Sequence, residues 1–286
     1  MDLHYWLIQT FNGMSYGALL FLVGSGLSLI FGVMRIVNLS HGSYFLWGGY
    51  IALSVIGATG SWALSLPVAA AAVAVIGLLM ERLFLRPLGF DPLRQVLLTV
   101  GFAYLFQQGA LDIWGGNNLE IETPDVLSRS IVVGGLYLPL YRVFMIAMAL
   151  AIGGAIWLVM EKTRMGTAVR ATVDDAQMAR GVGIDTNRIS MLIFALGAFL
   201  AALGGVIGGA FLGVYPGLDF EILPLAFAVV IIGGMGSLGG AAIGAMLVGL
   251  ADNFGKALFP ELAYFTLYAP MVLILAIKPT GLFGRE

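Results

Sequence analysis

Apolar residues in this chain form long unbroken runs instead of the narrow stripes of a half-buried helix or strand. Residues 3–34, 36–80, 95–111, 143–160, 189–218, 222–251 and 262–277 contain no Asp, Glu, Lys or Arg. Runs of about 18 or more mostly apolar residues have the length of a membrane-spanning helix. They predict spans at roughly 7–30, 42–58, 63–80, 95–113, 143–160 and 190–213, then a broken segment over 223–256 and a last span at 262–277. The run 36–80 must hold two crossings, since one helix of that length would rise about 68 Å. Its turn is expected at Gly57 to Trp62. The run 222–251 is interrupted by Gly233-Gly234-Met235-Gly236-Ser237-Leu238-Gly239-Gly240. The piece before the break is about a dozen residues, or about 18 Å of helix, too short to span comfortably, so a discontinuous pair is predicted, either re-entrant or making one net crossing.

The fold class that follows is all-α: one polytopic transmembrane helical bundle, 1–286, with about 8 hydrophobic segments including broken or re-entrant helices. Composition agrees. Sixty per cent of the 286 residues are apolar, 10% are charged, and 40 are glycine, which suits helices that approach closely through small residues. A net charge of −2 provides no basic surface for phosphate contacts, so nucleic acid is not an expected partner. The absence of cysteine removes disulfides, thiolate nucleophiles and Cys-ligated metals.

Lys and Arg set the orientation. With the N-terminus outside and the broken segment returning to its starting side, the inner loops hold Arg35, Arg82, Arg86, Arg94, Lys162, Arg164, Arg170, Arg180, Arg188, Lys278 and Arg285. Only Arg129, Arg142 and Lys256 lie outside, as the positive-inside rule prefers. Two loops are long: an external one at 114–140 with Glu120, Glu122 and Asp125, and an internal one at 161–189 with mixed charge and regularly spaced alanines. The internal loop is expected to carry one or two short surface helices that meet a soluble partner.

Chemistry-bearing residues are sparse. Gly234 to Gly239 matches a dinucleotide fingerprint in form, but no acidic residue follows at the ribose distance and the match lies in a run of membrane length. Read physically, Gly234, Gly236, Ser237 and Gly239 break a helix, so that a new N-terminus at Gly239 or Gly240 presents backbone N–H groups inside the bundle. Tight small-residue packing explains the same glycines: Gly236, Gly240 and Gly244 form a face at spacing four, as do Gly205, Gly209 and Gly213, and Gly13 with Gly17. Asn38, Ser40 and His41 join two apolar runs; with no cysteine or paired carboxylate beside His41, they are expected to satisfy backbone groups at a membrane break, not to hold a metal or perform catalysis. Asn12, Asn38, Ser40, His41, Gly234, Gly236, Ser237 and Gly239 are the candidates for a translocation path; Gln9, Ser15, Ser25, Ser28, Gln107, Gln108 and Asp112 are further polar groups at membrane depth that serve such a path or bond neighbouring helices to one another. The apolar runs hold no chain of Asp or Glu of the kind proton relays use, and the bundle is expected to bury no ionisable residues for ion coupling, which weighs against a self-sufficient secondary transporter or channel.

Three stretches carry a family resemblance. Thr163 to Ala171 followed by Asp175 to Ile184, Gly26 to Met34 leading into Asn38-Leu39-Ser40-His41-Gly42, and Gly233 to Gly240 followed by Ala241-Ala242-Ile243-Gly244 resemble the permeases of branched-chain amino acid ABC importers. That resemblance implies a transport subunit and not an enzyme. The implied partners are a second related permease, two cytoplasmic ATPase subunits that bind ATP-Mg, a periplasmic substrate-binding protein and a small-molecule substrate in a bacterial inner membrane; no cofactor is implied for this chain. It also implies that the loop centred on Ala176 to Gly183 inserts a short helix into a groove on an ATPase. Ala176, Ala179 and Gly183 would form the close-packing face, with Arg164, Gly166, Arg170, Asp174 and Arg180 completing the coupling segment. Relatives in the wider family move urea, amides or aromatic acids, so those substrates remain the alternative.

Overall fold

The computed structural model describes residues 3–89 and 91–284, apart from the side chains of Ala263, Tyr264 and Leu267. In chain order the helices are α1 (Leu3–Met34), α2 (His41–Thr59), α3 (Trp62–Met80), α4 (Pro92–Trp114), α5 (Leu140–Lys162), α6 (Arg164–Asp174), α7 (Ala176–Gly181), α8 (Thr186–Leu212), α9 (Leu218–Gly233), α10 (Leu238–Leu258) and α11 (Ala263–Ile277). Among the described residues, six apolar stretches are long enough to cross a membrane: α1, α3 extended to Leu88, α4, α5, α8 and α10. The chain is a multi-pass helical membrane protein. The shorter α9 and α11 and the more polar α2 complete the bundle, close to the eight segments read from the sequence.

Two helices form its centre. In α1 and α8, 72% of the most apolar window is buried, against 17% in α4 and α5 at the periphery. Lipid gives apolar side chains no reason to associate, so the centre depends on backbone proximity. Gly26 of α1 meets Gly197 of α8 where a Cβ on Gly26 would lie 2.6 Å from the Gly197 carbonyl oxygen. The small-residue faces read from the sequence operate in the same way: Gly13 and Gly17 seat α10, and Gly205 seats α2 against Phe45.

The turns follow local rules. Gly60 (φ 68°) ends α2 in the left-handed region, and the Ser61 side chain caps α3 by accepting from the Leu64 N–H, inside the predicted turn. After α3 the chain widens into a π turn, Glu81–Leu85, in which the Arg86 N–H bonds the Glu81 carbonyl five residues back. That five-residue spacing brings the Arg86 guanidinium onto Glu81, with Nη2 to Oε2 at 2.8 Å and Nε to Oε1 at 3.2 Å.

The segment 114–140 is more ordered than a capping loop. Strands β1 (Ser130–Val133) and β2 (Leu136–Pro139) pair antiparallel around Gly134-Gly135, both at positive φ (58° and 84°), as a two-residue hairpin turn requires. Ahead of it, Leu119 exchanges backbone bonds with Val214 after α8.

The broken segment returns to its starting side. Gly236 lies against Gly32 near the end of α1, while Gly249 lies against Gly17, so α9 and α10 form a re-entrant pair. The segment after α11 comes back to the α9 end, where the Leu282 and Phe283 N–H groups bond the Ile232 and Gly233 carbonyls at 2.9 and 3.0 Å. These bonds fill acceptors that a helix end otherwise leaves open. Ten described cations therefore share the end marked by Arg35, and Arg129, Arg142 and Lys256 share the hairpin end; Arg285 lies outside the described residues.

One expectation fails. The bundle does bury carboxylates: Glu81 and Asp219 are each 2% exposed and Asp252 is 6%. Each lies just beyond the edge of a charge-free run, and the sequence runs end before the helices do.

Candidate translocation and coupling elements

The residues singled out in the sequence divide into three places. Asn12 lies towards the hairpin end of α1, where its Oδ1 accepts from Arg142 Nη1 of α5 at 2.6 Å. This contact fastens two helices together.

Asn38, Ser40 and His41 are fully buried before and at the start of α2. Asn38 Oδ1 accepts from the Ser40 N–H (3.1 Å) and from Ser40 Oγ (2.7 Å), closing an Asx turn. His41 Nε2 lies 3.0 Å from the Val23 carbonyl, a contact that requires the proton on Nε2. These side chains do satisfy backbone at a membrane break, although Asn38 caps the turn while Ser40 makes no side-chain cap to α2. Nearby, Ser43 Oγ donates to Asp219 Oδ2 at 3.0 Å and Tyr44 Oη meets Met80 Sδ at 2.9 Å. Sequence reasoning missed Ser43, Tyr44 and Asp219 because no local spacing links position 43 to position 219. Among the described residues, no group of three His, Cys, Asp or Glu side chains is placed to hold a metal ion.

The break between α9 and α10 is built from Gly234 (φ 99°) and Gly236 (φ 83°). The new N-terminus falls at Leu238, one residue before the expected Gly239, because Ser237 takes the cap: its Oγ accepts from the Gly240 N–H at 3.0 Å. Replacing Ser237 by alanine is expected to cost about 1 kcal/mol, read as a fall in thermal midpoint of about 2–4 °C in detergent.

Gly236, Ser237 and Gly239 line a cleft of about 1100 Å³ between α1, α5, α6 and α10, closed at one side by residues 279–284. Arg170 and Asp174 line the same cleft. The structure thus brings part of the predicted break and part of the predicted coupling segment together, and leaves Asn38, Ser40 and His41 outside that cleft.

The segment expected to couple folds as two short helices. Thr163 caps α6 through the Gly166 N–H, and Gly166 lies so close to the Met160 backbone that a side chain there would collide. Gly166, Val169 and Thr172 form the buried face of α6 at spacing three. Val169 packs into a cluster with Leu29 of α1, Ile156 of α5 and Ile189 and Ile193 of α8. Arg170 Nη1 donates to the Met160 carbonyl, and Arg164 is exposed. Asp175 then caps α7 by accepting from the Gln177 and Met178 N–H groups, both at 2.9 Å.

The small-residue face of α7 points differently from the sequence expectation. Ala179 is 2% exposed and turned into the chain's own bundle, where Ile184 N–H bonds its carbonyl. Ala176 is half-buried, and Gly183 (φ 89°) stands beyond the helix as part of its stop. Arg180 Nε bonds Thr186 Oγ1 at 2.6 Å, tying α7 to the start of α8. Two large apolar side chains face outward beside the exposed Gln177 and Arg180: Met178 is 66% exposed and Val182 71%. Their spacing of four was the available signal.

The chain resembles known proteins in sequence over nearly its full length. The chain is 29% identical to the high-affinity branched-chain amino acid transport system permease protein BraD of Pseudomonas aeruginosa, covering 99% of this chain and 97% of the relative. It is 31% identical to LivH of Escherichia coli K12, covering 98% and 96%. A more distant likeness, 27% over 88% of this chain and 73% of the relative, is to the autoinducer 2 import system permease protein LsrC of Escherichia coli. No solved structure matches the chain significantly. Residues 9–275 match the family described as the branched-chain amino acid transport system / permease component, and the chain belongs to that family.

Proposed function

We propose that this chain is the membrane-spanning permease subunit of an ABC importer for branched-chain amino acids, translocating substrate delivered by a periplasmic binding protein. The cation-rich Arg35 end then faces the cytoplasm and the hairpin end the periplasm, in keeping with the positive-inside rule. The inner membrane of a bacterium is the expected location. A second, related permease completes the path, and two cytoplasmic ATPase subunits bind and hydrolyse ATP-Mg.

The observation that carries this reading is the α6–α7 unit. It is anchored through Val169 to α1, α5 and α8, including both central helices, while it offers Met178 and Val182 outward from a cation-rich end. A rigid unit joined to the bundle core and apolar on its free face is suited to carry a partner's movement into the membrane helices. Alternating access then follows from tilting of those helices as the ATPases close. The Gln177–Val182 surface is the contact, and Arg170, Arg180 and Ala179 hold it in place.

The test is purification of the tagged chain from native membranes in mild detergent, followed by identification of what accompanies it and leucine uptake by the reconstituted complex. Recovery of a second permease and ATPase subunits, with uptake that requires ATP and the binding protein, is the expected result. Recovery of this chain alone, transporting in liposomes without ATP, would overturn it.

A further inference from the structure

Helix α9 begins part-way along the bundle, with Phe220 and Glu221 of its first turn on the exposed face. The Phe220 ring packs against that of Tyr104 with centroids 5.5 Å apart. Tyr104 is ten residues before the end of α4 at Trp114 and twelve after its start at Pro92, about 15 and 18 Å from the two ends. The next residue, Glu221, is therefore a carboxylate at the depth of the hydrocarbon core, yet it is exposed. Its side-chain bond comes from Tyr215 Oη at 2.9 Å, and among the described residues no Lys or Arg forms an ion pair with it. Charged side chains in spanning helices face a partner or a watery cavity, not acyl chains.

Two further features mark the same edge as wet. Pro224 is exposed inside α9 and has no N–H to give the Phe220 carbonyl four residues back; a carbonyl so freed at membrane depth needs another donor. On α4, Tyr104, Gln108 and Asp112 follow at spacing four on one face. Gln108 Nε2 donates to Asp112 Oδ1 at 2.9 Å, and both are exposed. This polar strip climbs from Tyr104 to the hairpin end.

We propose that the strip Tyr104, Gln108 and Asp112, together with Tyr215 and Glu221, is this permease's wall of the aqueous substrate path, and that the Glu221 carboxylate receives the substrate's ammonium group. The inference rests on the reading of the chain as an amino acid permease and adds a specificity-determining residue to it. The Tyr215 hydroxyl fixes one carboxylate oxygen and leaves the other for the incoming cation.

The chain has no cysteine, so Glu221→Cys introduces a single thiol. In the assembled transporter, a membrane-impermeant thiol reagent added from the hairpin side is expected to modify it, and leucine-loaded binding protein with ATP to change the rate. Val75→Cys, on the exposed face of α3, is the lipid-facing reference and should stay unmodified. Separately, Glu221→Gln is expected to lower leucine uptake by roughly 10-fold, the loss of one charge-assisted contact, with binding-protein-stimulated ATP hydrolysis retained. A Glu221→Cys thiol as inert as that at position 75 would overturn the aqueous wall. Labelling in the isolated chain that disappears in the assembly would show instead that a partner's cation covers Glu221. Undiminished uptake by Glu221→Gln would overturn the ammonium contact. Failure of the unaltered assembly to import leucine would overturn the parent reading, a result separable from these.

Discussion

The double substitution Met178→Asp and Val182→Asp is expected to reduce ATP-driven uptake by roughly 100-fold or more while the chain still inserts in the membrane. The two side chains are 66% and 71% exposed on the free face of α7 and its stop, in a segment where α6 and α7 are otherwise held by caps, by Val169 and by the Arg180–Thr186 bond. Apolar side chains of this size contribute about 1.5–3 kcal/mol each when a partner covers them. Two carboxylates in the same place lose that gain and add desolvation without a designed counter-charge. Neither position packs inside the bundle, so folding should survive. The measurement is paired: leucine uptake in vesicles, and the amount of ATPase subunit that co-purifies. Uptake and co-purification both at the unaltered level would remove this surface from the contact. Arg164→Ala, also at an exposed site, tests charge alone and is expected to change uptake less than about fivefold, as an exposed pair is worth under about 1 kcal/mol.

How much of this was legible in the sequence depended on whether the signal was local. The spans were, because hydropathy reports the solvent of a whole helix: 42–58 was expected and His41–Thr59 found, 63–80 expected and Trp62–Met80 found. The helix break was legible in its glycines, although its start shifted to Leu238 because Ser237 is a better cap than glycine. The hairpin was legible and missed. Val132-Val133-Gly134-Gly135-Leu136-Tyr137 has a two-glycine turn between β-favouring residues, but in so apolar a chain the segment reads as a connector. The buried carboxylates were not legible. Glu81 is tolerated because a π turn delivers Arg86 to it, and Asp219 because Ser43 meets it from 176 positions away. Likewise, Ala176, Ala179 and Gly183 have the right sizes for a docking face, and spacing alone says nothing about whether a face meets a partner or the chain's own α8.

Gly26→Leu is expected to be strongly damaging, because it forces apart the two central helices of the bundle. A Cβ at position 26 would lie 2.6 Å from the Gly197 carbonyl oxygen and 3.2 Å from its Cα, and both are backbone atoms that no rotamer change can move. The two helices would have to separate at the crossing of α1 and α8, the two most buried spans. In water, separation of apolar helices is opposed by the hydrophobic effect; in lipid it is opposed only by lost packing, so the small-residue contact is the principal attraction and not an accessory to it. Overpacking a tight interior costs about 1–3 kcal/mol in soluble proteins, and the upper end of that range is expected here, a fall of about 6–12 °C in the thermal midpoint of the detergent-solubilised chain. Gly57→Ala, where nothing lies within 4 Å of the added Cβ, removes a helix-weakening glycine and should leave the midpoint unchanged or raise it slightly. The comparison separates contact from composition. If both variants melted like the unaltered chain, α1 and α8 would have to tolerate separation, and the stability of the bundle would have to come from its periphery, where α4 and α5 bury only 17% of their windows.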